Sequence, residues 1–239
     1  MSVHLVGGGV SPDYGGEVYR EFLDEATARA LSGGRPTARI GVLLVRDEGS
    51  DPRGPSWSAQ LARAGVCETV VTEIVEGELF ASPALNDLDG LLIGGGHTPS
   101  YLAAVTPIID EIRLLVADDL PYLGFSAGAM IAADAAIIGG WRIGEVAVCP
   151  EDAAEDLDEV TVVEGLGLVD VAIDVHAAQW GTLARLIAAT EAGLVDGGIA
   201  IDEFTALTVD DQEIRVVGSG SIWQVSQSDD GVLVSTLGA

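Results

Sequence analysis

The stretch "PYLGFSAGAM" (Pro121–Met130) decides how the chain is read. Tyr122, Leu123 and Phe125 form a short apolar run of the kind found inside a sheet covered on both faces. Small residues suited to a helix follow. Ser126 stands at the junction, between Gly124 and Gly128. A strand that turns sharply into a helix needs small neighbours there, because larger side chains block the close approach of the two elements. The stretch therefore predicts a strand–turn–helix unit with a hydroxyl at its tip.

The same alternation recurs on both sides. "VHLVGGG" (Val3–Gly9) reads as a strand, followed by a helix over "GEVYREFLDEATARAL". "ARIGVLLV" (Ala38–Val45), "CETVVTEIV" (Cys67–Val75) and "GLLIGGG" (Gly90–Gly96) read as further strands, with "PSWSAQLARAG" and "PIIDEIRLLVADD" as helices. "AGAMIAADAAI" reads as the helix after the serine. The strands are continuously apolar, which predicts an α/β fold: a doubly wound, mostly parallel sheet with helices on both faces. In the last third, "VDVAIDVH" reads as a strand entering the helix "AAQWGTLARLIAATEAG". "GGIAIDEFTALTV", "EIRVVGSGSIWQV" and "GVLVSTL" read as short strands, some antiparallel, closing the sheet's edge. Pro150–Glu159 reads as a surface loop or short helix. No linker, internal repeat or low-complexity segment divides the chain, so a single α/β domain over residues 1–239 is expected.

The formal net charge is −27, and all 11 basic residues are arginine. Such a surface repels nucleic acid and anionic membranes. No apolar run reaches the ~18 residues of a membrane helix. The segment "MSVHLVGGG" has no basic flank and reads as a strand rather than a signal peptide, so a cytoplasmic protein is expected. Cys67 and Cys149 lie far apart, without metal-ligand spacing, and read as reduced packing residues; no metal or other cofactor is expected.

Gly124-Phe125-Ser126-Ala127-Gly128 fits G-x-S-x-G. In a nucleophile elbow the backbone N–H after the serine, here that of Ala127, points at a developing oxyanion, and the helix N-terminus adds positive potential. The competing reading is a serine helix cap with glycines for packing. "LLIGGGHTPSYL" places Gly94–Gly96 and His97 at the carboxyl end of a strand, where open α/β sheets bind ligands. Gly94, Gly95 or Gly96 offers a second oxyanion donor. The turn lacks G-x-G-x-x-G spacing and a Walker lysine, which speaks against a nucleotide site. Gly7–Gly9 reads equally as a packing turn.

A serine needs a base, and there are three histidines. His4 lies inside a strand and reads as structural. His97 and His176 both follow apolar strands. His176 is favoured because the start of a helix keeps imidazole neutral; His97 is then a substrate contact. Glu145, in "GGWRIGE", competes with Asp174 and Asp134 as the acid that orients the histidine.

"GFSAGA", "IGGGHT" and the ordered pair "GLGLVDVAIDVHAAQWGTLARLI" and "GIAIDEFTALTV" resemble the serine peptidase family of dipeptidase E and cyanophycinase, nearer the cyanophycinase branch. The resemblance covers nearly the whole chain. It implies a fold like that of class I glutamine amidotransferases, with Ser126 as nucleophile, His176 as base and Glu145 as the best-matching acid. It also implies an oxyanion hole of Ala127 with Gly95 or Gly96, and Asp174 and Gln179 as polar groups around the substrate pocket. Val175, Trp180 and Thr182 stand where cyanophycinases carry a glutamine and arginines, and His97 replaces an amide side chain. Trp180 offers a flat face to a substrate guanidinium or aromatic group, but it cannot pair with a carboxylate.

The implied activity is hydrolysis of a small aspartyl-type peptide or isopeptide through an acyl-enzyme, with an altered specificity pocket. Two other readings stand beside it. One is an α/β-hydrolase-type esterase, which shares G-x-S-x-G. The other is an inactive binding or regulatory domain on the same fold. Homodimers are common among such folds, but the sequence identifies no interface.

Overall fold

In this computed structural model, which describes residues 2–11, 16–47, 56–210 and 214–238, the apolar runs of the N-terminal half pair as parallel strands. β1 (Ser2–Val6), β2 (Ala38–Arg46), β3 (Cys67–Val75), β4 (Gly90–Ile93) and β5 (Tyr122–Phe125) lie side by side in the order β1-β5-β4-β2-β3. Alternate residues serve opposite faces, as the strand period of two requires. Leu5, Leu91, Ile93 and Tyr122 pack in one core with Tyr101 and Ile112. Val6, Leu92 and Leu123 pack in the other with Phe22, Leu23 and Leu61. Helices α1 (Gly16–Ser32) and α2 (Trp57–Leu61) cover the second face; α3 (Thr98–Val105), α4 (Ile109–Ala117) and α5 (Ala127–Met130) cover the first.

Beyond α5 the chain forms two small antiparallel pairs. β6 (Ala135–Gly139) pairs with β9 (Thr161–Glu164), and β7 (Arg142–Ile143) pairs with β8 (Val146–Ala147). β10 (Ala172–Val175) leads through a turn to α6 (Leu183–Glu191) and β11 (Gly197–Ile201). β12 (Thr205–Asp210) then pairs antiparallel with β1, and β13 (Ile214–Gly218) pairs with β12, which brings the main sheet to seven strands. β14 (Ser221–Ser228) and β15 (Gly231–Gly238) join β10 and β11 in a separate four-stranded sheet. The chain thus adopts the expected α/β architecture, with short antiparallel strands towards its C-terminal end.

Four local expectations change. The helix after Ser126 ends at Met130, and Ala135–Gly139 is a strand, because pairing with β9 outweighs the helix preference of its alanines. The helix after His176 starts only at Leu183, past a turn containing Gly181 at φ 74°. α3 is an element the pattern did not announce. Finally, "GGIAIDEFTALTV" and "EIRVVGSGSIWQV" each hold two strands in two sheets, the first broken at Asp202–Phe204, with Phe204 at φ 55°, and the second at Ser219–Gly220. Pro55 and Glu213, at the ends of two expected elements, lie outside the described residues.

The turn leaving β1 gathers three other segments. The Ser126 N–H donates to Val6 O at 2.9 Å, the His176 N–H to Gly7 O at 3.0 Å, and the Phe204 N–H to Gly8 O at 2.9 Å. Residues distant in sequence are thereby pinned to one strand end.

Candidate active site

Ser126 is the residue between β5 and α5, at φ 51° and ψ −109°. Such a backbone costs about 1–3 kcal/mol and persists only where the surroundings enforce it. The enforcement is close packing. A Cβ on Gly128 would lie 2.2 Å from Ile93 O, and one on Gly124 would lie 2.4 Å from Gly128 O. Only hydrogens fit at both places, so strand and helix meet and the serine is pushed out at the bend. Ala127 is the first residue of α5, so its N–H has no partner within the helix. Gly95 abuts the serine: a Cβ there would lie 2.8 Å from Ser126 Cβ. Gly95 and Gly96 both line the cleft into which Ser126 opens.

Ser126 Oγ lies 2.9 Å from His176 Nε2, and His176 Nδ1 lies 2.7 Å from Glu203 Oε1. A carboxylate only accepts, so Nδ1–H donates to Glu203, and Nε2 is left to accept the serine proton. His176 follows β10 at φ 55°. Burial holds its pKa below the usual 6.5; the hydrogen bond and charge of Glu203, then the charge of Asp174, oppose this, and Arg185 assists it. A Cβ on Gly8 would lie 2.1 Å from His176 Cε1, so the β1 turn closes against that edge of the ring. Glu203 is held in turn: its backbone N–H donates to Gln179 Oε1 at 2.9 Å.

The expected acid is therefore displaced. Glu145 is exposed at the tip of the β7–β8 hairpin and does not line the cleft. A two-residue hairpin turn projects its side chains away from the body of the protein. Asp134 is exposed beside β6 and lines a separate cavity. Asp174 is 0% exposed and grips Arg185 with both oxygens, at 2.8 and 2.7 Å. Arg185 extends to Gly140 O at 3.2 Å and Ala153 O at 2.7 Å. The pair braces the cleft's wall from behind rather than facing a substrate. Gln179 likewise positions Glu203 and does not line the cleft.

Glu203 is hard to find from sequence because it sits inside "GIAIDEFTAL", which reads as one strand. The adjacent acids Asp202 and Glu203 within an apolar run are the available sign of a break. Gly8 likewise stands in a turn whose sequence suggests no particular role.

His97 lines the cleft, but its ring nitrogens are engaged elsewhere. Nδ1 meets Ser100 Oγ at 2.6 Å and Nε2 meets Glu155 O at 3.0 Å. Glu155 caps the start of α3, accepting from the Thr98 N–H at 3.0 Å and the Thr98 hydroxyl at 3.1 Å. Trp180 also lines the cleft, stacked on His176 with ring centroids 3.9 Å apart. The cleft encloses ≈ 1020 Å³. Eight carboxylate residues line it, including Asp47, Glu76, Glu151, Asp152 and Asp156, and no arginine does so among the described residues. Among those residues there is also no His/Cys/Asp/Glu group arranged to hold a metal ion.

The profile of Peptidase family S51 matches residues 72–217. The chain is 28% identical over 238 residues to a cyanophycinase of Synechococcus elongatus, covering 95% of this chain and 68% of the relative. A cyanophycinase of Thermosynechococcus vestitus matches with the same identity and coverage. The crystal structure of a peptidase from an acI-B1 Actinobacterium is similar in fold, with a TM-score of 0.67, 20% identity, and coverage of 100% of this chain and 94% of that one.

Proposed function

The chain belongs to Peptidase family S51 and is thereby a serine-type peptidase; from that premise we propose that it cleaves short cationic peptides or isopeptides through an acyl-enzyme on Ser126. The observation that carries the mechanism is the unbroken line Ser126 Oγ–His176–Glu203, with links of 2.9 and 2.7 Å.

In the proposed reaction Ser126 Oγ attacks the scissile carbonyl carbon while its proton passes to His176 Nε2. Negative charge forms on the carbonyl oxygen, toward which the Ala127 N–H and a Gly95 or Gly96 N–H are suited to donate. Glu203 stabilises the imidazolium and keeps the proton on Nδ1. Collapse breaks the C–N bond, and the leaving amine takes the proton from Nε2. Water then attacks the acyl-serine and gives its proton to Nε2. The acid departs and Ser126 regains its proton.

The order Ser126…His176…Glu203 differs from the Ser…acid…His order of α/β-hydrolases, which counts against the esterase reading. The complete relay counts against an inactive domain.

The substrate's charge is read from the cleft. Its carboxylates and its lack of any described arginine suit a cationic group beside the scissile bond and disfavour substrates rich in free carboxylates. This departs from the aspartyl type suggested by resemblance. The test is a peptide panel of matched length bearing arginine, leucine or aspartate on either side of the cleaved bond, with Ser126→Ala as control. Hydrolysis favouring the arginine peptides, absent in Ser126→Ala, supports the reading. Hydrolysis undiminished in a folded Ser126→Ala protein rejects it.

A further inference from the structure

We infer that Trp180 is a positioning residue: its indole holds the His176 imidazole in the plane from which Nε2 reaches Ser126 and Nδ1 reaches Glu203. The inference rests on the triad reading above. The rings are parallel within 7°, with centroids 3.9 Å apart. The geometry is built into the local chain, because the Trp180 N–H donates to His176 O at 2.8 Å and folds the indole back over the residue four positions earlier. His176 lies just past Val175, the last paired residue of its strand, at φ 55°. Gly8 bounds the Cε1 edge. Rotation about Cβ–Cγ would break both triad hydrogen bonds at once, and a flat wall against one face is what resists it.

Stability alone does not account for this tryptophan. It is 45% exposed, with much of its apolar surface left in water. Its ring is directed at the imidazole and lines the cleft beside Ser126. The indole also keeps water from one face of His176. The other groups that face the imidazole are Glu203 at Nδ1, Ser126 at Nε2, and the charges of Asp174 and Arg185. None of these groups is itself removed when Trp180 is replaced.

The experiment follows the rate at which a fluorophosphonate probe modifies Ser126 against pH, in wild type, Trp180→Ala and Trp180→Phe, with circular dichroism to establish folding. It requires no known substrate. Trp180→Ala should react roughly 10- to 100-fold more slowly, as expected of a misplaced catalytic group. Its acid limb should also move, because the ring's exposure to water and its bond to Glu203 both change. Trp180→Phe restores a flat ring and should recover both rate and limb. A folded Trp180→Ala protein with wild-type rate and limb overturns the inference. So does a slow variant whose limb stays in place and which phenylalanine does not rescue. If wild type itself is not modified at Ser126, the triad reading fails first.

Discussion

His176 Nδ1 and Glu203 Oε1 lie 2.7 Å apart although they come from different strand ends of the four-stranded sheet. Glu203 occupies the three-residue break where the chain leaves β11 for β12. Replacing it with glutamine keeps the shape and removes the charge that fixes the histidine tautomer. Glu203→Gln should lower kcat by about 10³- to 10⁴-fold, the scale known for such acids, while Glu145→Gln should leave it unchanged. The pH profile carries a sign as well. Burial keeps the His176 pKa below 6.5 and Glu203 holds it up, so the acid limb of wild-type kcat/KM should have its midpoint below pH 6.5. In Glu203→Gln the residual activity should fall at still lower pH. Steady-state kinetics between pH 4.5 and 8 check both points, and a limb that moves upward contradicts the assignment.

Gly8 makes a sharper steric test. A methyl group there would lie 2.1 Å from His176 Cε1, at a backbone φ of +100°. Gly8→Ala should displace the imidazole and cost roughly 10²-fold or more in kcat. Substitution at an unfavourable φ should also lower stability by about 1–2 kcal/mol. Kinetics and denaturant unfolding separate the effects. A variant destabilised in this range yet fully active would mean that the turn does not set the ring's position.

Much of this is legible in the sequence, and the exceptions share a cause. The parallel strands announce themselves by apolar runs, and Ser126 by its two glycines, because each signal lies within one segment. His97 and His176 share a strand-end position, and the helix start that favours His176 in the sequence lies further on, at Leu183. Glu203 stays hidden because its role depends on β11 and β12 entering different sheets, a long-range pairing that local composition does not encode. Asp174 reads as a pocket residue because its partner Arg185 lies one helix further on. Trp180 reads as a substrate platform because nothing local shows that the chain folds it back over His176.

The Asp174–Arg185 pair should behave as a buried bridge. Removing one partner leaves an uncompensated buried charge and typically costs about 3–5 kcal/mol. Asp174→Ala should lose stability on that scale in urea unfolding. It should also lose activity, since Arg185 braces the Gly140 and Ala153 carbonyls behind the cleft. The double variant Asp174→Leu with Arg185→Met should recover most of the stability. Equal losses in the single and double variants would show that the charges, rather than the packing around them, are indispensable.

The acidic cleft predicts a salt-sensitive preference. With carboxylates lining it and no described arginine among them, an arginine peptide should exceed its aspartate counterpart in kcat/KM by roughly 10- to 100-fold at low salt. Partly exposed charges are screened, so the advantage should shrink about 3- to 10-fold between 0.05 and 0.5 M salt. Asp152→Asn with Asp156→Asn should reduce it further. A preference for aspartate peptides, or one indifferent to salt, would contradict the charge argument.

Covalent labelling reports directly whether Ser126 is a nucleophile activated by His176. The protein is treated with a fluorophosphonate, digested, and its peptides are read by mass spectrometry. One adduct is expected, on the peptide carrying Ser126. It should be absent in Ser126→Ala, at least 10²-fold slower to form in His176→Ala, and unaffected in Glu145→Gln. An unlabelled Ser126 under conditions that modify a reference serine hydrolase, or a labelling rate indifferent to His176→Ala, would contradict it.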